Sequence, residues 1–278
     1  MAVIEPQTLE VKEWTGLHLM HYGMSNCSQR VRIMLEEKGL TWNSRIIDIP
    51  KEENLTDWYQ GINPNGVVPT LVHDGKVIIE STDILEYLDE QFPGSCGSLT
   101  NGDGLQHNTL KAMIARANSA QTQIKLLSFE YLFKPMAKKN RKQLATLEQK
   151  LRNQELLAFH QRFSSKSGVA TGELLNNICV MHEHLHTLEQ QLSQNSWLAG
   201  NRFSIADIAW IVNIHRLELM HFPLDRYPHL VSWTARMKSR PSYRKALVDY
   251  QPPAIGIVRC YAWFRSRFGR ASFRHAVC

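Results

Sequence analysis

The chain has little of what marks several large classes of protein. It holds five cysteines among 278 residues, at 27, 96, 179, 260 and 278, with no CxxC pair. An odd and scattered set argues against a disulfide scaffold or a zinc site and points to a reducing, cytoplasmic setting. No apolar run approaches the ~18 residues that a membrane span requires. Residues 1–16 contain Glu5, Glu10 and Glu13 and no apolar stretch, so a secretory signal is not expected. Acid is absent from residues 255–278, which carry Arg259, Arg265, Arg267, Arg270 and Arg274. That segment accounts for five of the six net positive charges. A basic tail on a nearly neutral body excludes a whole-surface nucleic-acid binder.

What is present is globular: 43% hydrophobic and 21% charged residues, enough for one large domain or two modest ones. The first hundred residues alternate in type. Leu17–Tyr22 reads as a strand, Cys27–Lys38 as a helix with Val31, Met34 and Leu35 on one stripe, and Asn43–Ile49 as a second strand. A short helix fits Asn54–Ile62. Two strands, Val67–Val72 and Lys76–Ile79, flank the hairpin signal Asp74-Gly75, and a helix spans Ser81–Phe92. The order β-α-β-α-β-β-α predicts a small mixed sheet with helices on it. From Gly104 onward the period is helical. One long helix is expected over Leu105–Phe133, one over Glu173–Leu192, one from the capping sequence Ser204-Ile205-Ala206-Asp207, and one from Arg226 to Lys238. The domains expected are 17–95, an all-helical 104–250 with a polar, solvated insertion at 137–167, and a basic aromatic tail at 251–278.

Three pieces of the first domain carry chemistry. Ser25 and Cys27 sit where the first strand turns into the first helix, so open N–H groups and the helix dipole favour a thiolate or another anion. Pro69, in Asn63-Pro64-Asn65-Gly66-Val67-Val68-Pro69, stands at the start of a strand. An X-Pro bond there can be cis and turn the Val68 backbone toward an extended peptide. Glu80-Ser81 opens a helix, where hydroxyl and amides can hold a carboxylate and Glu80 can face an ammonium. Each has a plainer explanation: Cys27 as a helix-start cysteine, Ser25 as an N-cap, Pro69 as strand punctuation. His182, His184 and His186 lack an HExxH or cysteine partner and are expected to be solvated or dimer-facing, so no metal site is assigned. The tail interleaves Ile257, Trp263, Phe264 and Phe268 with arginine. It can lie on a membrane surface, fold over a pocket or remain a solvated end.

A thiol, a peptide backbone, an amine and a carboxylate together describe glutathione, and the sequence resembles the glutathione transferase superfamily over roughly residues 17–250. The Val68-Pro69 pair, Glu80-Ser81 and Ser204-Ile205-Ala206-Asp207 stand at family-like spacing. Tyr22-Gly23-Met24-Ser25-Asn26-Cys27-Ser28 is similar to the zeta-class Ser-x-Cys pattern and to tetrachlorohydroquinone reductive dehalogenases. Further likeness runs to the lignin β-etherase transferases and the ganglioside-induced differentiation-associated proteins. The resemblance implies a thioredoxin-like N-terminal domain followed by a helical bundle, and a homodimer. It implies a glutathione transferase with glutathione as co-substrate and a hydrophobic electrophile as acceptor, the reaction being reductive dehalogenation through Cys27, isomerisation of a maleyl-type substrate or β-aryl ether cleavage. It also implies roles: Ser25 favours the glutathione thiolate, Cys27 resolves a conjugate through a mixed disulfide, Val68 pairs with the glutathione backbone, and Glu80 and Ser81 grip its γ-glutamyl end. Val67 departs from the polar residue that many zeta-like members carry there. The alternative is a non-enzymatic glutathione-binding protein recruited to membranes by its basic tail.

Overall fold

The computed structural model describes residues 2–94, 97–100 and 104–273. It divides into two compact units, Met1–Ser98 with Lys138–Gly168, and Leu99–Ala137 with Val169–Cys278.

The first unit is built on strands β1 (Val3–Ile4), β2 (Leu17–His21), β3 (Asn43–Ile46), β4 (Thr70–His73) and β5 (Lys76–Ile78), in the spatial order β1-β5-β4-β2-β3. β2 runs parallel to β3 and antiparallel to β4, and β4 and β5 form the hairpin. Helices α1 (Asn26–Glu37), α2 (Asp57–Ile62) and α3 (Ser81–Gln91) complete the alternation expected from sequence. The two-residue side-chain period of a strand sends Met20, Val72 and Val77 to one face, where they bury with Tyr59 and Ile62 of α2 and with Val11. Leu19, Leu71 and Ile78 form the opposite row, fully buried. That face is left to α1 and α3, which pack on each other. Every residue of β2 is buried, as a strand covered on both faces must be.

Two features depart from the sequence-based expectation in this unit. Residues before Gly16 add β1, paired antiparallel to β5, and a 3-10 turn at Leu9–Glu13. This N-terminal run crosses α2 so closely at Gly61 that an added Cβ would stand 2.2 Å from the Thr8 hydroxyl. The polar segment expected within the helical domain groups with the sheet-bearing unit instead. Its helices α7 (Arg141–Lys150) and α8 (Gln154–Ser164) are not merely solvated. Leu147, Leu151 and Leu157 bury with Leu55, and Gln60 donates to the Lys150 carbonyl at 2.8 Å.

The second unit is helical: α4 (Gly104–Ser119), α5 (Gln121–Ser128), α6 (Lys134–Ala137), α9 (Thr171–Gln194), α10 (Ile205–Leu219), α11 (Pro228–Lys238), α12 (Pro241–Tyr243) and α13 (Ile255–Phe268). α10 is buried on nearly every face and packs on α4, as expected of a helix apolar all round. Its capping box forms. The Ser204 N–H and hydroxyl donate to Asp207 Oδ2, each at 3.0 Å, while Leu198 N–H and the Trp233 indole donate to Oδ1. The single long helix expected over Leu105–Phe133 is broken at Ala120, where Asn213 of α10 inserts its side chain. Asn213 donates to the Ala117 carbonyl and accepts from Gln121. Residues Phe129–Phe133 then widen into a π-turn.

The histidine expectation holds for His186, which is exposed, and needs correction for its two neighbours. His182 and His184 are buried, not solvated, and His182 Nδ1 lies 2.6 Å from the Tyr227 hydroxyl. Cys179 is disulfide-bonded, against the expectation of scattered free thiols. The arginine-rich segment forms α13, with Ala262 and Ser266 buried and Phe273 sealed against Tyr131 and Phe222. Cys96 and Cys278, and part of the stretch between the first two expected domains, lie outside the described residues. Among the described residues no helix is long and apolar enough to cross a membrane.

Candidate functional site

All six residues singled out from sequence fall in the sheet-bearing unit, on elements that converge at the ends of β2 and β4. Ser25 is the N-cap of α1, with extended backbone at φ −77°, ψ 121°. Its Oγ accepts from Ser28 N–H at 3.2 Å and donates to the Val68 carbonyl at 3.4 Å. That second bond joins two pieces which the sequence separates by more than forty positions. Cys27 is a free thiol, half-buried in the first turn of α1. The Val68–Pro69 peptide bond is cis, and the Val68 N–H has no partner among the described residues.

The Val67–Pro69 segment is held from behind. The Tyr59 hydroxyl donates to the Val67 carbonyl at 2.7 Å, and Asn63 Nδ2 donates to the same oxygen at 2.9 Å. Both also bond Thr70 Oγ1 at 3.0 Å. Burial pushes the Tyr59 phenol far above its ordinary value, so it remains a donor at any working pH. Asn63 sits within the motif noted from sequence, but the spacing gave no sign of its role.

Glu80 and Ser81 open α3. Glu80 is exposed, with φ 64° and ψ 116°, a region that few residues other than glycine adopt. Its carboxyl is thereby aimed by backbone geometry that the fold must impose. Ser81 is buried, and Arg30 Nη1 donates to its Oγ at 3.5 Å. With its oxygen already accepting, the Ser81 hydroxyl keeps its own proton to donate.

Two arginines of α1 prove to be interior residues. Arg30 and Arg32 are 1% and 0% exposed. Arg32 Nη1 donates to the Tyr22 carbonyl at 3.2 Å and to His21 Nδ1 at 3.1 Å, and Nη2 to the Gly23 carbonyl at 2.9 Å. It therefore fixes the loop that delivers Ser25. An arginine only donates, so His21 Nδ1 must accept, and its Nε2–H donates to Ser44 Oγ at 2.8 Å. Burial and Arg32 together hold His21 neutral, its pKa lowered to about 3. Burial pulls Arg30 below its ordinary value, and the charge of Cys27 one turn earlier works the other way. A wider groove of roughly 500 Å³ borders β3, lined by Arg45, Ile47, Glu53 and Trp58 among others. None of the six residues lines it.

A parallel-antiparallel sheet with a cis-proline before β4, a hydroxyl and thiol at one helix N-terminus and a donor set at another defines a thioredoxin-like, thiol-handling domain. A family model described as "Glutathione S-transferase, N-terminal domain" matches residues 24–91, and its C-terminal counterpart matches residues 180–236. The chain is 30% identical to the probable maleylacetoacetate isomerase of Caenorhabditis elegans, over 84% of this chain and 94% of that protein. It is 26% identical to Protein LigF of a Sphingobium strain, over 82% and 92%. It is 26% identical to the tetrachloro-p-hydroquinone reductive dehalogenase of Sphingobium chlorophenolicum, over 83% and 95%. The solved structure of beta-etherase LigF superposes with a TM-score of 0.75 at 25% identity, covering 84% of this chain and 98% of that one. The chain belongs to the glutathione transferase family, enzymes that use glutathione as co-substrate.

Proposed function

We propose that the chain attacks a hydrophobic electrophile with the thiolate of glutathione and that Cys27 then resolves the conjugate reductively. The observation that carries this is the placement of Ser25 and Cys27 two residues apart at the α1 N-terminus, with the Ser25 hydroxyl bonded to the Val68 carbonyl. Both a chlorohydroquinone dehalogenase and an etherase stand among the relatives.

The residues suit glutathione. The open Val68 N–H supports backbone pairing with its cysteinyl residue. The Ser81 hydroxyl, with Arg30 behind it, suits the α-carboxylate of the γ-glutamyl end, and the exposed Glu80 suits its ammonium. Pro69 sets the path of Val68 into β4. Ser25 can turn its proton from the Val68 carbonyl to the sulfur without losing the Ser28 cap, because that cap uses its oxygen.

The chemistry balances in two glutathiones. The thiolate displaces a leaving group from the electrophile, giving a thioether and the leaving group as its anion. Cys27 thiolate attacks the thioether sulfur, forming a mixed disulfide and expelling the substrate carbon with its electron pair, which takes a proton. A second glutathione reduces the mixed disulfide to free Cys27 and glutathione disulfide. The substrate gains the two electrons that the two thiols lose. We extend the proposal to a cytoplasmic homodimer, since the reaction consumes reduced glutathione.

The test incubates the protein with glutathione and a chlorinated hydroquinone and reads intact mass with and without dithiothreitol. A reducible adduct of one glutathione is expected on the wild type and not on Cys27→Ser, which stalls at the thioether. If Cys27→Ser releases glutathione disulfide at the wild-type rate, Cys27 is not the resolving thiol.

A further inference from the structure

We propose that Arg30 is the positioning residue that couples the two ends of the glutathione site, orienting the Ser81 hydroxyl at one end and placing its charge one helical turn from Cys27 at the other. The inference rests on the function proposed above and assigns a part of it to a residue that touches no substrate.

Three observations carry it. Arg30 follows Cys27 by three positions in α1, which places the two side chains on one helix face. Its guanidinium reaches across to α3, where Nη1 donates to Ser81 Oγ. The side chain is 1% exposed, so water does not screen its charge. A buried guanidinium is costly to desolvate, and a fold retains one where fixed donors or fixed positive charge are needed. Of the two α1 arginines, Arg32 serves the Tyr22–Gly23 loop. Arg30 reaches from the thiol-bearing first turn of α1 to the α3 N-terminus.

The consequence is electrostatic and geometric together. The planar fork holds the Ser81 oxygen as an acceptor and so directs the hydroxyl proton outward, toward an incoming carboxylate. The same guanidinium sits one helical turn from Cys27, where its fixed charge draws anionic groups toward that turn. One side chain thus prepares both the anchoring end and the resolving thiol, with no contact to ligand.

The experiment uses the full chain in a Cys260→Ser background, since Cys260 is an exposed free thiol that would also alkylate. Two readouts are taken at fixed pH: glutathione affinity by calorimetry and the rate of Cys27 alkylation by iodoacetamide. Arg30→Gln is expected to weaken glutathione at least tenfold and to slow alkylation at least fivefold. Arg30→Lys keeps a charge near Cys27 but loses the fork, so it should weaken glutathione at least fivefold and leave alkylation near the wild-type rate. Ser81→Ala should reproduce the affinity loss alone. A lower melting temperature in Arg30→Gln with both readouts unchanged would reduce Arg30 to a core residue and overturn the proposal. If Arg30→Gln does not fold, Arg30→Lys decides, and unchanged affinity there overturns it. If the wild type binds no glutathione, the function proposed above fails, whereas the alkylation arm still decides whether Arg30 governs Cys27.

Discussion

Ser25 performs two tasks with one hydroxyl, and they use opposite ends of the O–H group. Its oxygen caps α1 by accepting from Ser28 N–H, while its proton points at the Val68 carbonyl. Removing the hydroxyl should therefore register in stability and in turnover separately. Ser25→Ala is expected to lose about 1 kcal/mol of unfolding free energy, the usual worth of an N-cap, measured by urea denaturation. It should also lower kcat for glutathione conjugation at least tenfold. Ser25→Thr retains the oxygen and should recover most of the stability. An alanine variant with wild-type turnover would remove Ser25 from the chemistry and leave it as a cap. At this scale local placement was readable where the chain turns into a helix: Ser25 and Cys27 open α1 and Glu80-Ser81 opens α3 as expected, whereas Val68 and Pro69 fall just before β4, which begins at Thr70 and not at Val67. It was unreadable where a side chain acts over distance. Arg30 and Arg32 look like surface charge at the start of a helix, and only the packing of α3 and the Tyr22–Gly23 loop makes them interior donors. Tyr59 and Asn63 are equally silent, since their partner carbonyl at Val67 is fixed by a turn of the chain.

Among the elements, α13 shows how a segment with an ambiguous sequence finds one place. The arginines on and just after α13 look like a solvated or membrane-seeking set, but two of them, Arg265 and Arg270, reach inward. Glu130, 1% exposed on the π-turn after α5, pairs with Lys134 at 2.7 Å and with Arg265, and lies 3.9 Å from Arg270. The Tyr131 hydroxyl donates to the Ala271 carbonyl, and Arg270 donates to that of Val169. Charge used in this way is not available to an anionic surface, although Ile257, Phe264 and Phe268 remain exposed. Glu130→Ala leaves these cations without their carboxylate and should cost about 1–2 kcal/mol, less than a fully buried pair because the cations are partly exposed. Hydrogen exchange is the direct measure. Amides of 255–268 should lose protection at least tenfold while those of α9 keep theirs. Unchanged protection would mean that Phe273 and the other apolar contacts hold α13 alone. Elements with their own period, such as α1, α3 and α10, were legible in the sequence. The break at Ala120 was not, because its cause is Asn213, more than ninety residues away. Nor was β1, whose two residues carry no period and take strand form only through Val3 and Ile4 pairing with β5.

For the whole molecule, the buried titratable groups of both units set the response to acid. His21 and His215 have pKa values lowered to about 3, His21 by burial and Arg32, and His215 by burial with Arg216, Lys238 and Arg259. His215 is bonded on both nitrogens, Nδ1 to the Tyr243 hydroxyl at 2.7 Å and Nε2 to Gln251 at 3.1 Å. The unfolded chain binds protons at these residues near 6.5, and the folded chain does not until about 3. Stability therefore falls as pH drops below 6.5, at about 1.4 kcal/mol per pH unit for each histidine. Asp207 acts in the opposite direction. Burial raises it to about 6 from 3.8, against the donors of Leu198, Trp233 and Ser204. Between those two values the folded state binds the extra proton, and acidification stabilises at the same slope. Two histidines against one aspartate leave a net loss of about 1.4 kcal/mol per unit between pH 6 and 4, and His182, also lowered by burial, adds to it. Urea midpoints taken at half-unit steps from pH 7.5 to 5 should decline throughout the lower part of that range. His215→Asn should be less stable at pH 7.5 yet show a shallower decline. A flat profile in the wild type would mean that His21 and His215 accept protons in the folded state, which the donor facing each ring forbids.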